Sequence, residues 1–196
     1  METNTINESL IGERLREAAD LLNQVMADKN LRKDLAEVAS VICRCFASGH
    51  KLLICGNGGS AADAEHLAAE FSGKFQKDRP PLNAEALHVN AAQLTAIAND
   101  LSYDRVFSRL VQAKGQNGDV LLTISTSGNS QNVINALEEA NKREMITVLL
   151  TGKSGGSAAE KAQKTLCIPS ENTARIQEMH LLFGHLICEM VETRLF

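Results

Sequence analysis

Tryptophan is absent from the chain, tyrosine occurs once, and aromatic residues make up only 4% of 196 positions. No platform for stacking nucleobases is visible, and a formal net charge of -4 leaves no dominant cationic surface to meet phosphate backbones. Nucleic acid is therefore not an expected partner. No apolar run approaches the length of a membrane span, and the opening METNTINESLIGERLREAAD lacks the basic and apolar regions of a signal peptide. A cytoplasmic protein with no membrane partner is expected. The five cysteines, Cys43, Cys45, Cys55, Cys167 and Cys188, are odd in number and spread through apolar segments, so disulfides are not expected. Cys43 and Cys45 form a C-x-C on a predicted helix without a second Cys/His pair to complete a structural zinc site, and are read as buried thiols.

With 44% hydrophobic and 22% charged residues the composition is that of a globular protein, and 196 residues are enough for one well-buried α/β domain with no composition break suggesting a second. The organising stretch is 51–73, KLLICGNGGSAADAEHLAAEFSG. Leu52 to Cys55 form an unbroken apolar run suited to a strand buried on both faces. Gly56, Gly58 and Gly59 then allow a tight turn, Ser60 is a candidate helix cap, and the free N–H groups of the helix start would face an anion. The helix places His66 and Glu70 four residues apart on one face, a pair able to bind metal or move protons.

Helical periodicity predicts two helices before this unit, at 7–26 and 30–47, the second stopped at Gly49. The first has no strand of its own to cover and is expected to pack on another subunit. Residues 1–50 are read as a helical segment of the same domain and 51–196 as its α/β body. Strands are expected at 85–89, 119–124, 146–150 and 165–168, and helices at 93–98, 103–113, 131–143, 158–163 and 173–195. This alternation implies a five-stranded parallel sheet with helices on both faces and ligands at the strand carboxyl ends.

A second candidate ligand loop, STSGNS, follows the strand at 119–124 and opens a helix. Ser125, Thr126, Ser127 and Ser130 crowd there around Gly128, a composition suited to phosphate, although such a turn can simply cap its own helix. Neither loop has the G-x-x-x-x-G-K-[ST] pattern of ATP-binding loops. GNGGSA meets only a loose dinucleotide form, and the next strand ends in Val89-Asn90 where a ribose-binding acid is expected. ATP and NAD are poor fits.

Five blocks in order, CGNGGSAADAEHLAAEFSG, AIANDLSYDRVFSR, GDVLLTISTSGNS, LTGKSGG and TARIQEMHLLFGHLICEMVE, resemble the SIS-domain phosphoheptose isomerases over nearly the whole chain. The resemblance implies a flavodoxin-like SIS fold and a cytoplasmic homotetramer. It also implies conversion of D-sedoheptulose 7-phosphate to D-glycero-D-manno-heptose 7-phosphate, the first step towards activated heptoses of lipopolysaccharide core and other surface glycans. It further implies one Zn2+ per subunit on His66, Glu70, Gln177 and His185, with Glu70 and His185 catalytic. Spacing alone does not choose His185 over His180. Implied substrate contacts are Asn57, Gly58, Gly59, Ser60, Glu70, Asn99, Asp100, Ser125, Thr126, Ser127, Ser130 and Gln177.

The alternative is a non-catalytic SIS sugar-phosphate sensor or a relative of the DnaA-associating branch, which shares these loops but typically lacks the acid and the histidine kept here as Glu70 and His185. Hexose or pentose phosphate isomerases of the same fold rank third. This chain departs from many relatives at Val89-Asn90, where they carry Thr-Asp, and from some at Ala174, where they carry Asp.

Overall fold

The structure, a computed structural model, describes residues 8–196, and the helix start expected at residue 7 lies outside them. Two helices, α1 (Glu8–Ala27) and α2 (Lys29–Ala47), lead to β1 (Leu52–Gly56), α3 (Gly59–Ser72), β2 (Ala84–Ala86) and α4 (Ala91–Asp100). A 3-10 turn at Tyr103–Arg105 opens into α5 (Val106–Lys114), followed by β3 (Val120–Ser125), α6 (Gln131–Lys142) and β4 (Ile146–Thr151). The chain ends with α7 (Gly156–Ala159), β5 (Lys164–Cys167) and the long α8 (Thr173–Leu195).

All pairings are parallel and the strands lie in the order β2-β1-β3-β4-β5. The order reverses between β1 and β3, which is where ligands bind in open sheets of this kind. Every residue of β1 and β3 is buried, as the unbroken apolar runs require. Leu52, Ile54, Val120, Leu122, Val148 and Leu150 pack under α2, α3 and α8, while Leu53, Cys55, Leu121 and Leu149 pack under α5 and α6. Each such side chain contributes about 1.5–3 kcal/mol of burial, so both layers are held firmly to the sheet.

Several boundaries differ from the sequence expectation. β2 stops at Ala86, short of 85–89, because the chain bends away after Leu87 N–H donates to Ile54 O (2.9 Å). Asn90 then caps α4, its Oδ1 accepting from Gln93 N–H (3.1 Å), so α4 starts before residue 93 and runs on through Asn99 and Asp100. An amide there does the capping that an aspartate would do. The helix expected at 103–113 begins as a 3-10 turn. α7 is earlier and shorter than 158–163, because Gln163 N–H is drawn to Thr147 Oγ1 (3.0 Å) and Lys161 O to Asn141 Nδ2 (2.7 Å). All five cysteines are free, and burial pushes the Cys45 thiol up to about 11 and that of Cys188 up to about 12. Neither is a thiolate at neutral pH. No helix among the described residues is long and apolar enough to cross a membrane.

Candidate active site

The first loop turns at Gly58, which makes it, rather than Ser60, the residue preceding α3. The expected Ser60 cap is not formed: Ser60 is buried inside the first turn, its Cβ packed against Gly56, and its N–H donates to Asn57 O (3.0 Å). Asn57 is locked to Asn132 of α6 by two reciprocal amide hydrogen bonds of 2.9 Å, and its Oδ1 also accepts from Tyr103 Oη (3.1 Å). One amide pair thus joins the loop after β1 to the first turn of α6 across the point where strand order reverses. Asn132 and Tyr103 were not among the sequence candidates. The available signal was an amide on the buried face of α6, one turn before Ala136. Asn99 and Asp100 stand exposed at the end of α4, where Asn99 Nδ2 donates to Asp100 Oδ1 (2.9 Å), and it is Tyr103 that reaches the first loop.

In the second loop Ser130 occupies the position before α6, yet its hydroxyl makes no capping bond and lies 3.4 Å from Ser125 Oγ. The N–H groups of Gln131 and Asn132 precede the first helical bonds of α6, which Val133 and Ile134 N–H make to Ser130 O (both 3.0 Å). Hydroxyls and N–H groups are therefore left for an anion. The loop is braced from behind by the glycine loop after β4: Gly152 N–H donates to Thr126 O (3.0 Å), Ala158 N–H to Gly128 O (2.8 Å) and Ser157 N–H to Asn129 Oδ1 (3.0 Å).

Two helices supply the third component. His66 Nε2 lies 2.8 Å from His185 Nε2 and 3.4 Å from Glu70 Oε1, and one ligand atom from each of the three residues lies within 4.8 Å of the others. The approach depends on Gly184, since a Cβ there would sit 2.4 Å from Leu67 Cδ2, so the residue before His185 packs on the residue after His66. Two imidazole nitrogens and a carboxylate oxygen turned towards one point are a donor set that suits zinc. Gln177, about two turns before His185, lays its amide against Gly59 at the first loop. Asp63, one turn before His66, is held above the ordinary carboxylate range by burial, with His66 acting the other way.

The two histidines of α8 part company. His180 is fully buried and its Nε2–H donates to Thr151 O (3.2 Å), at the end of β4. Burial pushes it down to about 4, against the pull of that hydrogen bond. Its depressed value means that the unfolded chain takes up a proton between pH 6.5 and 4 that the native chain refuses. The contribution is therefore complete above pH 6.5 and is lost on acidification, by about 3 kcal/mol. Urea unfolding at pH 7 and pH 4 should show His180→Gln losing less stability on acidification than the parent by about that amount. An equal loss in both chains would contradict a buried neutral His180.

Residues 15–152 match the SIS domain family. The phosphoheptose isomerase of Shewanella halifaxensis (strain HAW-EB4) is 46% identical over 189 residues, spanning 94% of this chain and 96% of that one. The chain belongs to the SIS-domain phosphoheptose isomerases. Among solved structures, the phosphoheptose isomerase GmhA from Neisseria gonorrhoeae superposes with a TM-score of 0.89 at 40% identity, covering 95% of this chain and 98% of that one. The phosphoheptose isomerase from Francisella tularensis gives a TM-score of 0.91 at 34% identity over 94% and 97%. This member of the family carries the two loops at the carboxyl ends of β1 and β3 and the His66–Glu70–His185 cluster further along α3 and α8.

Proposed function

We propose that the chain isomerises D-sedoheptulose 7-phosphate to D-glycero-D-manno-heptose 7-phosphate, an aldose–ketose conversion at the head of ADP- or GDP-heptose synthesis for lipopolysaccharide core and related glycans. The observation that carries this reading is the meeting of His66, Glu70 and His185 on α3 and α8, in a chain whose first loop opens α3 and whose second is rich in hydroxyls suited to a phosphorylated sugar. Ser125, Thr126, Ser127 and Ser130 hold the phosphate with the first N–H groups of α6. Asn57, Gly58, Gly59, Ser60, Asn99, Asp100 and Gln177 meet the sugar chain.

Glu70 removes a proton from C1, the C–H electron pair forms the C1–C2 double bond, and the C2 oxygen takes a proton from His185 to give the enediol. The C1 hydroxyl then returns a proton to His185 as the carbonyl forms at C1, and protonated Glu70 delivers its proton to C2. Glu70 has two oxygens, and Oε1 is the one turned to His66, so Oε2 is left as the base. His66, Glu70, Gln177 and His185 would hold Zn2+, which when bound polarises the substrate oxygens. A sensor without catalysis would need neither the Glu70 carboxylate nor His185 in this arrangement.

The same reading includes a cytoplasmic homotetramer. α1 buries Leu21 and Val25 and leaves Leu10, Ile11, Leu15, Leu22 and Met26 exposed, an apolar stripe that a second copy would cover. The His66 side chain is 44% exposed, which leaves room for a neighbouring subunit at the site.

Removing metal with a chelator should abolish turnover of sedoheptulose 7-phosphate, and one equivalent of zinc per subunit should restore it. Full activity in the stripped chain would contradict the metal's place in the reaction. Substrate binding without turnover at any metal level would favour the sensor.

A further inference from the structure

Between α3 and β2 the chain runs as a strap whose anchorage lies in the interior. Arg79 and Glu192 form an ion pair with side chains only 1% and 3% exposed, Arg79 Nε donating to Glu192 Oε1 at 3.0 Å. Glu192 Oε2 accepts from Gln76 N–H and Lys77 N–H (both 2.9 Å), and Oε1 also accepts from Phe75 N–H (3.4 Å). Burial works to raise the Glu192 carboxyl, and the N–H groups with Arg79 outweigh it, so the group sits below its ordinary range.

The guanidinium does a second thing. The last carbonyls of a helix lack intrahelical partners, and at the end of α3 Arg79 Nη2 donates to Glu70 O (2.9 Å) while Nη1 donates to Phe71 O (2.8 Å). Arg79 thus fixes the main chain of Glu70 itself. The strap held by Glu192 also carries Phe75, whose ring stacks on His185 with centroids 5.7 Å apart and planes at 29°. His185 lies about two turns before Glu192 on α8. The pair therefore touches both helices of the cluster, one through the backbone of Glu70 and the other through the ring over His185.

A buried ion pair contributes little to stability compared with apolar residues of the same volume, so a pair with this many directed bonds calls for another role. We propose that Arg79 and Glu192 are positioning residues of the zinc site, with Phe75 as the element that transmits their hold to His185. They set the separation of α3 and α8 at which His66, Glu70 and His185 can share one ion. Groups behind metal ligands typically change affinity by about 10–100-fold when removed. The inference rests on the zinc reading above.

The test compares the full chain with Phe75→Ala and Glu192→Gln, measuring zinc affinity by competition with a chromogenic chelator and stability of the metal-free chains by urea unfolding. Phe75 is half-buried on the strap, so its truncation keeps the test available should Glu192→Gln fail to fold. The expected result is zinc affinity weaker by about 10–100-fold in each folded variant, with kcat recovering towards the parent value at saturating zinc and KM for sedoheptulose 7-phosphate within about twofold. Parent-like zinc affinity in Phe75→Ala, whatever its unfolding midpoint, would overturn the inference and leave the strap a purely structural clasp. A parent chain that binds no zinc would overturn the zinc reading and this inference together.

Discussion

Glu70→Gln should lower kcat for sedoheptulose 7-phosphate by roughly 10²–10⁴-fold, the range expected when a positioned general base is lost. The substitution keeps the shape of the side chain and leaves the Arg79 bond to the Glu70 carbonyl in place, because that bond uses main-chain oxygen. It removes the basicity needed to take a proton from carbon. A glutamine oxygen remains a weak metal ligand, so zinc binding should fall as well, and a second assay separates the two effects. At zinc concentrations high enough to fill the variant site, turnover should stay low. Turnover within twofold of the parent at saturating substrate and metal would remove Glu70 from the role of base.

Gly128→Ala should damage both the fold and phosphate binding. The residue sits at φ +64, and a Cβ built there would lie 1.9 Å from Gly155 O. The side chain cannot rotate out of this clash, since the collision is of Cβ with a carbonyl of the bracing loop. Left-handed backbone costs an L-residue roughly 1–2 kcal/mol, and the forced shift of the 152–156 loop adds overpacking strain of about 1–3 kcal/mol. Urea unfolding should therefore show a loss of about 2–5 kcal/mol. Movement of the loop would also misalign the hydroxyls of Ser125 and Ser130, and charge-assisted bonds of about 1.5–3 kcal/mol each are at stake. KM should rise by about 10–100-fold or more. A variant with parent-like stability and KM would show that this brace has no part in shaping the phosphate loop.

The parallel sheet was legible because its central strands announce themselves: Leu52–Gly56, Val120–Ser125 and Ile146–Thr151 are apolar runs bounded by glycine or hydroxyl turns. Boundaries set by distant partners were not. α7 ends where Gln163 is drawn to Thr147 and Asn141 to Lys161, and no local pattern encodes either bond. The same holds at the site. His66 and Glu70 are visible as a pair from their spacing, whereas the choice between His180 and His185 depends on which face of α8 meets β4 and which meets α3. The structure buries His180 against Thr151 and turns His185 to His66. Ser60 was misjudged because the turn at Gly58 starts α3 early and takes the serine into the helix. The Arg79–Glu192 pair joins residues 113 positions apart, and the Asn57–Asn132 pair joins residues 75 apart. Polar partners at such separations leave at most an oddly placed amide or charge in the sequence.

The most direct test of the account is to incubate the zinc-loaded chain with sedoheptulose 7-phosphate in deuterated water and follow the products by NMR. The enediol route with Glu70 as a solvent-exchanging base predicts an aldoheptose 7-phosphate carrying deuterium at C2, formed only when metal is present. An aldose with no deuterium at C2 under any condition would contradict exchange through that base, and no aldose at all from a chain that binds the sugar phosphate would contradict the isomerase.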